Sequence, residues 1–256
     1  MSQQTDAAQW FKSPAPNSRS RVRLFCFPYA GGSAAIFHHW SRSLPHDIEV
    51  CPVMLPGRGS RMREPPLTRL STLVEQLARA IEPYLDKPFA FFGHSMGAFI
   101  GFELARSLRR QAGVEPAHLF VSGCRAPQLP DSQPLAYDLP DHEFIEYLRE
   151  LNGTPEEMLG HPELMALMMP LLRADFEAVS TYVYADDAAL SCPISAYGGL
   201  RDATTTREDL APWSELTTGR FVLRMFDGDH FFIQHAAPLL LATLSRELAQ
   251  LVAEVN

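Results

Sequence analysis

Ser95 lies in Gly93-His94-Ser95-Met96-Gly97, entered from the apolar run Phe89-Ala90-Phe91-Phe92 and followed by a helical pattern that stops near Gln111-Ala112-Gly113. A glycine-flanked serine between a buried strand and a helix reads as a nucleophile elbow, a strained turn that lifts the hydroxyl into a cleft for acyl transfer. The glycines have a steric reason, because strand and helix backbones pass too closely in such a turn for a Cβ. A serine hydroxyl is a poor nucleophile until a base takes its proton, and the base needs an acid to hold its tautomer. On sheets that carry this elbow, the acid and then the histidine follow the serine along the chain.

Of nine histidines, His230 alone directly follows a strong late strand, Phe221 to Phe226, and is the expected general base. His38, His39 and His46 precede the serine, His118 opens a strand, and His142 and His161 fall in a helical stretch. His94 reads as a packing residue, since neighbours on a tight turn cannot both face the cleft. Asp202 follows the strand-like Ile194 to Tyr197 and the turn Gly198-Gly199-Leu200-Arg201, at the sheet edge where sites collect. It is the expected acid, with Asp131 its rival, while Asp227 and Asp229 read as shaping the turn of His230. The tetrahedral intermediate needs two fixed N–H donors. Met96 N–H is one, and the turn Phe27-Pro28-Tyr29-Ala30-Gly31-Gly32-Ser33 offers the other at Ala30 or, alternatively, at Tyr29.

The elements that must position these groups are visible as short apolar runs: Val22 to Phe27, Ile48 to Met54, Phe89 to Phe92, His118 to Ser122, Pro193 to Tyr197 and Phe221 to Phe226. Separated by helical patterns such as Leu70, Leu73, Val74, Leu77 and Ile81, they predict an α/β fold with a mostly parallel central sheet flanked by helices. A terminal helix is expected from Pro238 to Val255. Residues 21–130 and 190–256 read as the core domain and residues 131–189, which hold helical patterns without a strand, as a helical lid insertion. Its long segment, Pro162 to Tyr184, and the methionines Met158, Met165, Met168 and Met169 suit an adaptable acyl-binding wall or simple packing of the insertion. Met165, Met168, Tyr29 and Phe231 are the candidate substrate contacts. Residues 1–20 read as a flexible arm with an anchor at Trp10-Phe11.

With 256 residues, 46% of them hydrophobic, the chain can bury one substantial core. The net charge of −8 argues against nucleic-acid binding, which needs clustered Lys and Arg. No signal-peptide core or membrane-length apolar run is visible, so a cytoplasmic protein with no membrane association is expected; oligomeric state is open, with a monomer as the default. Cys26, Cys51, Cys124 and Cys192 lack metal or redox spacing and read as buried thiols. No metal or nucleotide motif is present, so no cofactor is expected.

Six motifs occur in order: Phe27-Pro28-Tyr29-Ala30-Gly31-Gly32, Leu55-Pro56-Gly57-Arg58-Gly59, Gly93-His94-Ser95-Met96-Gly97-Ala98, Ser122-Gly123-Cys124-Arg125-Ala126-Pro127, Leu172-Arg173-Ala174-Asp175-Phe176 and Gly228-Asp229-His230-Phe231-Phe232. On these the chain, from Trp10 onward, resembles the type II thioesterases, the discrete editing enzymes of polyketide and nonribosomal peptide assembly lines. The resemblance implies an α/β-hydrolase fold with a helical lid, hydrolysis of acyl thioesters from the phosphopantetheine arm of acyl or peptidyl carrier proteins, and a triad at Ser95, Asp202 and His230. Ala203 departs from the proline common after the acid in related sequences, which puts the stiffness of the acid loop in question. An acidic carrier would need a basic face, for which Arg106, Arg109 and Arg110 or Arg58, Arg61 and Arg63 are candidates; helix capping and loop bracing are the competing roles. A carboxylesterase or lipase acting on oxyesters, a cyclising release domain and a non-catalytic binding module remain open, and the polar arm favours a free-standing hydrolase.

Overall fold

Six strands rich in Phe, Val, Leu and Ile form one sheet: β1 (Val22–Phe27), β2 (Ile48–Pro52), β3 (Phe89–His94), β4 (His118–Ser122), β5 (Ile194–Gly199) and β6 (Phe221–Phe226). All pairs are parallel in the order β2-β1-β3-β4-β5-β6. This is the α/β sheet read from the apolar runs. The computed structural model describes residues 7–11, 17, 19–130 and 135–254. The order reverses at β1, leaving a crevice beyond the carboxyl ends of β1 and β3, the place where open α/β sheets bind ligands.

Alternation along the buried strands feeds two cores. Phe25 and Phe27 of β1 pack with α1 (Leu70–Ile81) and α2 (Met96–Ala112) on one face; Val22, Leu24 and Cys26 pack with Trp40 and the terminal α5 (Ala237–Glu254) on the other. Helix α2 stops where Gly113 turns left-handed (φ 66°) and donates its N–H to Arg109 O.

Between β4 and β5 stand α3 (Asp141–Leu151), a turn at Glu156–Leu159 and α4 (Pro162–Ser180), around their own cluster of Phe144, Leu148, Leu159, Met165 and Leu172. Helix α4 ends short of the expected Tyr184, and Tyr182 instead donates its hydroxyl to Glu103 at 2.7 Å.

Trp10 and Phe11 sit where the sequence places an anchor. Trp10 and Phe11 are buried, Phe11 forms an antiparallel bridge to Val53, and Met54 N–H bonds Trp10 O at 2.8 Å. Arg61 lies 4.0 Å from the centre of the Trp10 ring. The aromatic pair buries enough apolar surface to hold this segment on the sheet edge. Trp10→Ala is therefore expected to cost about 3 kcal/mol in urea unfolding, as for a core aromatic, where a loose arm would show no change.

Candidate active site

Strand β3 runs straight into the elbow. Ser95 adopts φ 53° and ψ −119°, and α2 starts at the next residue. A Cβ on Gly93 would sit 2.1 Å from Gly97 O, and one on Gly97 would sit 2.2 Å from Phe27 O, so both positions must be glycine. The turn is pinned by Ser95 N–H to Ser122 O at 2.7 Å and Ala98 N–H to Ser95 O at 2.9 Å.

The loops after β5 and β6 are tied together by Leu200 N–H to Phe226 O and Arg201 N–H to Gly228 O, each 2.8 Å. They bring His230 Nδ1 to 2.8 Å from Asp202 Oδ2. Asp202 Oδ1 accepts Thr204 N–H and Thr204 Oγ1, both at 2.8 Å, and Thr205 N–H at 3.1 Å. The acid loop, with Ala203 in place of proline, is thus closed by the carboxylate itself. Thr204 Oγ1 also lies 3.0 Å from His230 Nδ1. With Nδ1 carrying the proton toward these two oxygens, Nε2 is the basic nitrogen. Burial disfavours the Asp202 carboxylate, but the bonds from His230 and Thr204 outweigh it and hold the carboxyl below the usual aspartate range. Sequence reasoning passed over Thr204; its signal is a hydroxyl two residues after the acid, the spacing of a side-chain turn.

Ser95, His230, Met96, Ala30, Tyr29, Thr204 and Phe231 line one cavity of about 130 Å³. Among the described residues no hydrogen bond joins Ser95 to His230; such bonds are commonly longer in substrate-free sites and tighten with substrate. The Met96 N–H, first of its helix, has no carbonyl four residues back to accept it. The Ala30 and Tyr29 N–H groups likewise have no acceptor among the described residues, so both remain available as the second donor. Asp131 lies outside the described residues. Asp229 shapes the His230 turn as expected, accepting Phe231 N–H at 2.9 Å and Asn152 Nδ2 at 3.0 Å, and Asp227 pairs with Arg201 at the surface.

Two of the expected substrate contacts do not line this cavity. Met165 and Met168 pack inside the insertion's own cluster and do not reach the cavity. The insertion instead contributes Tyr147, Leu151, Phe176 and Val179. The helical spacing identified an apolar segment but could not say which side chains turn to the cavity. The two arginine groups are mostly engaged internally: Arg58 pairs with Asp175, Arg61 with Glu64, and Arg106, Arg109 and Arg110 share Asp187. Arg58, Arg61 and Arg106 are buried, so they brace the chain rather than face a partner. Among the described residues no group of three or more His, Cys, Asp or Glu side chains could hold a metal ion, and no helix is long and apolar enough to cross a membrane.

His94 is fully buried beneath the site, its ring 5.2 Å from that of His230 and its Nδ1 2.9 Å from Ser122 Oγ. Burial pushes its pKa down to about 3, and that of His118 down to about 4. Both histidines are neutral when folded and gain a proton near pH 6.5 when unfolded. Stability present above pH 6.5 should fall as pH drops from there toward 4, by about 1.4 kcal/mol per pH unit for each full proton of difference. Urea unfolding across that range checks this, and His118→Gln should flatten the slope.

The sequence model of the thioesterase domain matches residues 22–248. The gramicidin S biosynthesis protein GrsT of Aneurinibacillus migulanus is 46% identical over 245 residues, covering 96% of each chain. Among solved structures, the type II thioesterase BorB from the borrelidin biosynthetic cluster superposes with a TM-score of 0.86 at 35% identity, over 93% of this chain and 97% of that one. The RedJ thioesterase from the prodiginine pathway of Streptomyces coelicolor does so at 0.85 and 38%, over 92% and 89%. Elbow, sheet order and near full-length similarity agree, and the chain belongs to the thioesterase domain family.

Proposed function

We propose that the protein is a type II thioesterase that hydrolyses stalled or aberrant acyl groups from the phosphopantetheine arm of acyl or peptidyl carrier proteins in polyketide or nonribosomal peptide biosynthesis. The observation that carries this reading is His230, held by Asp202 and sharing one cavity with a strained serine and with N–H donors that have no acceptor among the described residues, in a chain similar over nearly its whole length to such enzymes. Ser95 Oγ attacks the thioester carbonyl while His230 Nε2 takes its proton, and Asp202 stabilises the resulting imidazolium. The Ala30 and Met96 N–H groups hold the oxyanion, aided by the positive end of α2. The C–S bond breaks, His230 returns the proton to sulfur, and the pantetheine thiol leaves. Water deprotonated by His230 then attacks the acyl-serine, releasing the acid and restoring Ser95.

No cofactor enters these steps; the substrate brings its own phosphopantetheine. Residues 131–189 act as the lid over the acyl chamber, with Phe176 and Tyr147 in its wall, Tyr29 and Phe231 bordering the triad, and residues 21–130 and 190–256 as the catalytic core. The enzyme works in the cytoplasm as a monomer beside its megasynthase.

A pantetheine thioester should be turned over at least 100-fold faster than the matched oxyester, and a fluorophosphonate should label wild type but not Ser95→Ala. Preference for the oxyester would favour a carboxylesterase, and failure to label would favour a binding module. Thr204→Val should lower kcat/KM about tenfold and shift the acid limb of the pH profile, with Thr204→Ser restoring both; an unchanged profile in the Val variant would remove Thr204 from the triad's support.

A further inference from the structure

Three separate motifs, the turn after β1, the loop at Pro56-Gly57-Arg58 and the second half of α4, meet at one buried ion pair. Arg58 Nη1 and Nη2 reach Asp175 Oδ2 and Oδ1 at 2.7 Å each, and the two side chains are only 5% and 4% exposed. Asp175 Oδ2 also accepts Gly31 N–H at 2.7 Å, while Arg58 donates to Gly32 O at 3.0 Å and Pro56 O at 3.2 Å. The same face of α4 presses Leu172 and Leu171 onto the left-handed glycines. A Cβ would come within 2.5 Å of Leu172 at Gly31 (φ 75°) and within 3.2 Å of Leu171 at Gly57 (φ 80°).

The consequence for the turn is specific. Its Gly31 N–H is taken by Asp175 and its Gly32 N–H by Tyr29 O at 2.8 Å, whereas the Tyr29 and Ala30 N–H groups between them and β1 have no acceptor among the described residues, and Ala30 is the one that adjoins the clamped Gly31. A donor for an oxyanion acts only if it is fixed before the charge appears. We propose that Asp175, on the insertion helix, is a positioning residue for the oxyanion site: it clamps the turn from behind through Gly31 and, with Arg58, through Gly32, leaving Ala30 N–H aimed at the reacting carbonyl. Hydrolysis then depends on the seating of α4, which couples closure of the acyl chamber to assembly of the catalytic donors. This rests on the proposed hydrolase function.

The test separates positioning from mere stabilisation. Replacing a buried ion pair by apolar residues of similar size commonly preserves stability, so Arg58→Met/Asp175→Leu is compared with wild type for urea unfolding, turnover of acetyl-pantetheine, and binding of the trifluoromethyl ketone analogue, which forms a tetrahedral adduct on the serine. The double variant should unfold at a similar urea concentration, lose about 100-fold in kcat/KM with little change in KM, and lose ketone affinity by the same factor. Asp175→Asn, whose amide oxygen can still accept Gly31 N–H, should stay within about tenfold of wild type on both readings and serves if the apolar pair does not fold. A folded double variant with wild-type turnover, or loss of turnover in either variant without parallel loss of ketone affinity, overturns the proposal. Wild-type protein that binds the ketone yet hydrolyses no thioester counts against the assigned function alone.

Discussion

Backbone contact at the elbow constrains everything around it. Strand β3 and helix α2 cross so closely that Gly93 touches the Gly97 carbonyl, and Gly97 in turn rests on the carbonyl of Phe27, the last residue of β1. Ser95 between them takes a conformation that costs an ordinary residue on the order of 1–3 kcal/mol. It persists because β3 is paired on both sides, with β1 and β4, and because α2 is locked into the core by Phe99, Ile100, Phe102 and Leu104. The same crossing puts the turn that follows β1 directly beside the serine. Nucleophile and oxyanion donors are therefore neighbours as a consequence of strand order.

The remaining groups reach the site by other routes. Asp202 and His230 come from successive strands whose loops are hydrogen-bonded to each other, and Gly199 allows the close approach, since a Cβ there would meet Asp229 O at 2.3 Å. Phe231 wedges between Tyr29 and the insertion, where Gly153 leaves room for its ring. The Arg58–Asp175 pair holds the insertion from the other side, and loss of one partner of so buried a pair typically costs about 3–5 kcal/mol. The cavity is thus gripped at both ends by contacts between the insertion and the catalytic loops.

Much of this was legible along the chain. The six apolar runs appear as six parallel strands, and the steric logic of Gly93 and Gly97 can be stated before any coordinates, because an elbow is a local device whose residues are adjacent. Asp202 and His230 could be selected because each follows a strand in the expected order, and the structure brings them together. The insertion was harder. Met165 and Met168 looked like an acyl wall by composition, yet Tyr147, Leu151, Phe176 and Val179 line the cavity, because a helix that is apolar around much of its circumference does not declare which side it turns to the core. Arg58 stood in two competing roles until its partner was known, 117 residues away.

What the sequence by itself determined is whatever depends on neighbours: strand and helix periodicity, the strained serine, the glycines that permit it, and the order of acid and base. Tertiary structure alone decided which face of α4 meets the β1 turn, that Asp175 occupies the Gly31 N–H and leaves Ala30 N–H unclaimed, and that Thr204 completes the hydrogen bonds of Asp202 and His230. The physical reason is that local sterics act over a few residues and are written in adjacent positions, whereas the pairing of distant polar groups is set by how whole elements dock, a choice made by the summed packing of the core.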